Sequence, residues 1–75
     1  MNVYICEDLS CCYRLHNGTL EYVPLNADDT FDLDGFGQLD DEGSTEEVMF
    51  RGRTRTLAEV HKAVRAMLTL KDLGV

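Results

Sequence analysis

Cys11-Cys12-Tyr13-Arg14-Leu15-His16-Asn17-Gly18-Thr19-Leu20-Glu21-Tyr22-Val23-Pro24-Leu25 is the stretch that decides the fold. Asn17-Gly18 is a favoured pair for a type I′ turn, whose two central residues both need positive φ. A two-residue turn there sets His16 opposite Thr19, Leu15 opposite Leu20, Arg14 opposite Glu21 and Tyr13 opposite Tyr22. One face of the hairpin then carries Tyr13, Leu15, Leu20 and Tyr22, and the other Arg14, His16, Thr19 and Glu21. The alternation agrees on both strands, and a slip of one residue would turn every apolar side chain to the wrong face. Pro24 has no N–H for a ladder, so it ends the second strand or places it at an edge.

Working outward, Asn2 to Cys6 is rich in β-branched and aromatic residues and predicts a short strand, followed by a turn at Glu7–Ser10. On the other side, residues 26–45 predict an acidic, glycine-containing loop. Its Phe31, Leu33, Phe36 and Leu39 argue that it packs down on the body of the protein. Glu46 to Gly52 predicts one further strand. Thr56-Leu57-Ala58-Glu59 fits a capping box, in which the Thr oxygen and the Glu carboxylate satisfy reciprocal backbone N–H groups. A helix over about residues 57–71 follows, with Gly74 as its stop. Leu57, Val60, Val64, Met67 and Leu68 form its apolar stripe, widened by Ala63 and Leu70. Lys62 and Arg65 lie opposite, and His61 at the margin. These elements predict an α+β fold: a small antiparallel sheet of three to four strands packed against one C-terminal helix.

Seventy-five residues are expected to form a single small domain. A chain of that size buries about 60% of its unfolded surface, which leaves little room for a deep substrate pocket. No apolar run approaches the roughly 18 residues of a membrane span. No charged and apolar leader is visible at the start, so the expectation is a soluble, cytoplasmic protein without a membrane partner. The 14 acids and 7 bases give a net charge of −7, unevenly placed. Residues 1–50 carry twelve acids against Arg14, or −11, and residues 51–75 carry six bases against two acids, or +4. Such a distribution either makes two electrostatic faces or lets a basic helix neutralise an acidic loop. The N-terminal excess disfavours direct contact with a nucleic-acid backbone.

Several motifs invite chemistry. Asp32-Leu33-Asp34-Gly35 can be aligned as a calcium loop with Thr30, Asp32, Asp34, the Phe36 carbonyl, Gln38 and Asp41 as ligands. Thr stands where Asp opens such loops, and no helix leads in. Cys6, Cys11, Cys12 and His16 lack paired zinc spacing, and adjacent strand cysteines point to opposite faces. The three thiols are expected to be reduced, with Cys6 and one of the vicinal pair in the core, and no base is placed to make either a nucleophile. No phosphate-binding or dinucleotide glycine motif is present. No enzyme activity, metal or cofactor is therefore expected. Arg51, Arg53 and Arg55 alternate at period two and would form a basic ladder on a strand, available to phosphate or to the neighbouring acids as fork-like pairs.

The stretch from Tyr13 to Leu25, followed by Asp29-Thr30-Phe31-Asp32, resembles small uncharacterised acidic phage proteins over residues 13–42. They share a tyrosine-rich Asn-Gly hairpin and an Asp-Gly-Ser-Phe-Asp-like segment, where this chain has Asp29-Thr30 in place of Gly-Ser. The resemblance implies a context in which small proteins bind and block a host protein, as anti-CRISPR and anti-restriction proteins do, the acidic ones by mimicking nucleic acid. The resulting expectation is an acidic protein-binding module, monomeric or homodimeric, acting on a basic host protein. Its contact residues would be Asp28, Asp29, Asp32, Asp34, Asp40, Asp41, Glu42, Glu46 and Glu47, with Tyr13 and Tyr22 as aromatic anchors. One alternative is a small nucleic-acid-binding regulator using Arg51–Arg55 and the Lys62/Arg65 helix face. Another is an accessory subunit that dimerises through its helix stripe.

Overall fold

In the computed structural model, which describes residues 2–74, the chain runs through strands β1 (Val3–Cys6), β2 (Cys11–His16), β3 (Thr19–Pro24), β4 (Gly37–Gln38), β5 (Glu47–Phe50) and β6 (Arg53–Thr56) into helix α1 (Leu57–Asp72). Asn17 and Gly18 have φ of 53° and 79°, as a type I′ turn requires. The register around them is the expected one, from His16↔Thr19 to Tyr13↔Tyr22. β1 joins the other edge of β2 in antiparallel pairing, with Tyr4↔Tyr13 and Cys6↔Cys11, across the Glu7–Ser10 turn. β4 adds two residues to β3, completing a four-stranded antiparallel sheet in the order β1-β2-β3-β4.

Residues 46–52 were expected to be one strand; the chain instead turns at Arg51-Gly52 and forms a second, two-stranded sheet from β5 and β6. Arg51 takes φ 52° and Gly52 φ 78°. A non-glycine residue pays for that conformation, and here tertiary contacts hold it. The Arg51 N–H donates to the Asp8 carboxylate at 3.0 Å, and its guanidinium lies over the rings of Tyr4 and Phe50 at 5.6 and 5.4 Å. The expected three-membered arginine ladder is thereby broken: Arg51 belongs to the turn, and only Arg53 and Arg55 share β6.

The capping box forms as expected. The Glu59 N–H donates to Thr56 Oγ1, and the Thr56 N–H donates to Glu59 Oε1, both at 3.2 Å. At the far end Gly74 takes φ 74° and its N–H returns to the Lys71 carbonyl. Leu57, Val60, His61, Val64 and Leu68 are the buried helix residues. His61 therefore belongs to the packed stripe rather than its margin, while Leu70 is 50% exposed and does not widen it. The stripe lies on the sheet face that carries Cys6, Cys11, Tyr13 and Leu20, and Phe50 closes the core from β5.

The opposite sheet face is also covered. Cys12 and Val23 are cross-strand partners on it, and both are buried. Gly35 of the acidic segment sits against Val23, where a Cβ would lie 3.3 Å from Val23 Cγ2. The Phe36 ring lies 4.4 Å from the Arg14 guanidinium carbon and packs edge-on against Phe31. Phe31, Phe36 and Leu39 are half-buried, as a loop packed on the protein demands, whereas Leu33 is exposed. All three cysteines are free and buried, Cys6 and Cys11 on the helix side and Cys12 on the other. Among the described residues no helix is long and apolar enough to cross a membrane.

Candidate functional site

The acidic segment wraps around the β3–β4 edge of the sheet, and this divides the expected contact residues. Phe31, Gly35 and Phe36 pack on the face away from the helix, and β4 forms the edge. From Leu39 onward the chain lies on the helix side. Asp28, Asp29, Asp32 and Asp34 are thus separated from Asp40, Asp41 and Glu46. Glu47 follows Glu46 but points away from Val48 and Phe50 by strand alternation, so it leaves the helix-side group.

On the outer face the carboxylates are used locally. Asp28 Oδ1 accepts from the Thr30 N–H at 3.1 Å and from the Thr30 hydroxyl. The hydroxyl first, and then the backbone N–H, hold the Asp28 carboxyl below its ordinary value. Asp32 Oδ1 accepts from the Asp34 N–H at 2.9 Å, closing a second short turn. The stretch aligned with a calcium loop thus contains an aspartate-closed turn at Asp32–Asp34, preceded by another at Asp28–Thr30. Among the described residues no group of three or more His, Cys, Asp or Glu is gathered as a metal site would need.

On the helix side an open cleft of about 440 Å³ is lined by Leu9, Leu39, Tyr22 and Val48, with Asp40, Asp41 and Glu46 on its walls. Tyr13, Cys11, Leu57 and His61 complete the lining. Tyr13, expected as a surface anchor, is only 2% exposed: α1 lies over it, and its side chain is part of the core. Tyr22, directly opposite on β3, is 38% exposed and remains accessible. The Tyr13 hydroxyl is 3.1 Å from His61 Nε2, and His61 Nδ1 is 3.4 Å from the Glu42 carbonyl. A carbonyl can only accept, so Nδ1 carries a proton and donates to it. Burial, then contact with Cys11, pushes the Tyr13 phenol upward, which keeps it a donor.

Glu42 stands apart from its acidic neighbours. Its carboxylate takes Arg65, whose guanidinium also donates to the Gly18 carbonyl at 2.8 Å. One helix arginine thus ties the acidic segment and the hairpin tip together. It does the neutralising that was expected of Arg51, Arg53 and Arg55, none of which pairs with the acidic segment among the described residues. The basic surface is correspondingly reduced, because Arg51 is stacked on aromatics and Arg65 is engaged. Behind the cleft the Cys11 thiol, then the backbone N–H groups of Leu9 and Asp8, draw the Cys6 thiol below its ordinary value against the effects of burial and of the Asp8 charge. The same contact, together with burial, pushes Cys11 up.

The cleft walls Leu9 and Val48 were not singled out from sequence; Leu39 was expected only to pack the loop down, and His61 only at the margin of the helix stripe. The signal for His61 was present in its i, i+4 relation to Leu57 on one helix face. Comparison with known proteins finds no matching family model, no matching curated protein and no matching solved structure.

Proposed function

We propose that this protein is an acidic protein-binding module that engages a basic partner on a surface the partner otherwise offers to nucleic acid. The observation that carries the reading is the state of the carboxylates. Of the acids between Asp28 and Glu47, only Glu42 enters an ion pair among the described residues, and the others but Glu42 are exposed. A surface of uncompensated carboxylates raises association rates with a basic groove and competes with phosphate for it. The resemblance to small phage proteins extends the proposal to an inhibitor of a host defence protein, of the anti-CRISPR or anti-restriction type.

The test is capture of binding proteins on the immobilised chain at two salt strengths, with elution by a short DNA duplex. Going from about 0.15 M to about 1 M salt shortens the Debye length from about 8 Å to about 3 Å. The captured set is expected to consist of nucleic-acid-binding proteins released by both salt and duplex. Capture indifferent to both would overturn the reading.

A further inference from the structure

We propose that Cys6 and Cys11 form an oxidation site, a cross-strand dithiol that a peroxide converts to a disulfide within the folded chain. The observation that carries this is the pairing register. Cys6 on β1 stands directly opposite Cys11 on β2, in the rung that borders the Glu7–Ser10 turn, and both thiols are free. Facing residues of an antiparallel pair have Cα atoms about 4.5–5.5 Å apart, in either kind of rung. That spacing falls within the roughly 4.4–6.8 Å a disulfide needs. Both side chains leave the sheet on the helix side and enter the same core cluster, so the two Cβ atoms project side by side. The third thiol does not compete. Cys12 points to the opposite face, where it is fully buried, and burial raises its thiol and keeps it protonated. Of the three possible pairings the register leaves one.

Burial does not close the site. Cys11 is 6% exposed and lines the open helix-side cleft beside Leu9, so a molecule as small as a peroxide can reach its sulfur. The contact between the thiols prepares the chemistry. Cys11 donates to Cys6, which holds the Cys6 thiol below its ordinary value and pushes Cys11 above it. The pair shares a proton, and its transfer to Cys6 makes Cys11 the thiolate that faces the cleft. That thiolate attacks one peroxide oxygen, the O–O bond breaks, and the departing hydroxide takes a proton from solvent to become water. Cys11 is left as a sulfenic acid. Cys6 then attacks the Cys11 sulfur, the S–O bond breaks, and the Cys6 proton leaves with the hydroxide as a second water. Two electrons pass from the sulfur pair to the peroxide, and a dithiol reductant returns them by exchange.

The test is titration of the reduced full chain with hydrogen peroxide, followed by alkylation in denaturant and mass mapping of the peptides. Expected is one monomeric product lighter by two hydrogens, with Cys6 joined to Cys11 and Cys12 alkylated. Both lost thiols are expected to return on addition of dithiothreitol. Cys12→Ala, once its melt shows it folded, is expected to form the same bond. The chain oxidised in denaturant supplies the comparison, because without the register the thiols have no preferred partner. The same mixture of pairings from the folded chain would overturn the site. Three intact thiols at a peroxide dose that oxidises the unfolded chain would overturn it as well, as would bonds formed only between chains.

Discussion

The acidic segment behaves as two regions with one composition. Between Asp28 and Asp34, carboxylates close turns: Asp28 holds Thr30, and Asp32 holds the Asp34 N–H. Between Asp40 and Glu46, carboxylates surround an apolar cleft, and only Glu42 is tied, by Arg65. A carboxylate that satisfies a nearby N–H commits one of its oxygens to local order, whereas one with no partner offers both to a ligand. Acid count is thus a poor guide to where such a protein binds. What separates the two regions is the core beneath them: the second lies against helix, sheet and β5, the first against one sheet face.

The largest test of that distinction removes the shared foundation. Val64 is fully buried between helix and sheet. Val64→Asp leaves a carboxylate without partners in the core, at a cost of several kcal/mol. A chain of this size has about 4–11 kcal/mol in total, at about 0.05–0.15 kcal/mol per residue. The variant is expected to lose its cooperative melt by circular dichroism and both regions with it. A folded, monomeric variant would show that the helix is not what supports the cleft.

A smaller effect is expected at the first hairpin, where Asn17 holds φ 53°. Asn17→Ala is expected to lower stability by about 1 kcal/mol, because alanine resists that conformation. An unchanged thermal melt would contradict the turn's role in setting the register that places Tyr22 at the cleft.

That hairpin was legible because Asn-Gly advertises its turn and the alternation on either side agrees. Arg51-Gly52 makes a turn of the same sign pattern, with φ 52° and 78°, yet it went unread. Arginine has no local preference for positive φ. What holds it there is Asp8, Tyr4 and Phe50, and the first two lie more than forty residues away in sequence. His61 was obscured for a related reason: a polar residue on an apolar face is read as marginal unless its partner, Tyr13, is known. The helix, its cap and its stop were local and were readable in full. The splitting of the acidic segment was not, because β4 has only two residues and no periodicity to announce a sheet edge.

The link between the regions and the helix rests on Arg65. Its side chain is about one-third exposed, so the pair with Glu42 is screened and weaker than a buried one. Arg65→Met is expected to cost about 1 kcal/mol, counting the lost bond to the Gly18 carbonyl. In a double-mutant cycle with Glu42→Gln, a coupling of about 0.3–1 kcal/mol is expected. Zero coupling would mean that the inner region holds its place without the tether, by the packing of Leu39 alone.

The smallest effect separates the regions by acid. In the folded chain the Asp28 carboxyl lies below its ordinary 3.8, drawn down by the Thr30 hydroxyl and N–H. A depressed carboxyl contributes its stability fully above the unfolded value and loses it as pH falls through the folded one. The turn at Thr30 should therefore loosen only below about pH 4. Glu59 is depressed likewise, by the Thr56 N–H and then its hydroxyl, so the helix start has an acid step of its own. Asp28→Ala is expected to abolish the acid-dependent change in the Thr30 amide signal and to leave that at the Glu59 amide intact. Residual acid dependence of Thr30 equal to that of the unaltered chain would mean that the outer turn is held by Asn26, whose backbone N–H donates to the Thr30 carbonyl at 2.7 Å. The outer region would then be ordered by its backbone, and its aspartates would be as available to a partner as those of the cleft.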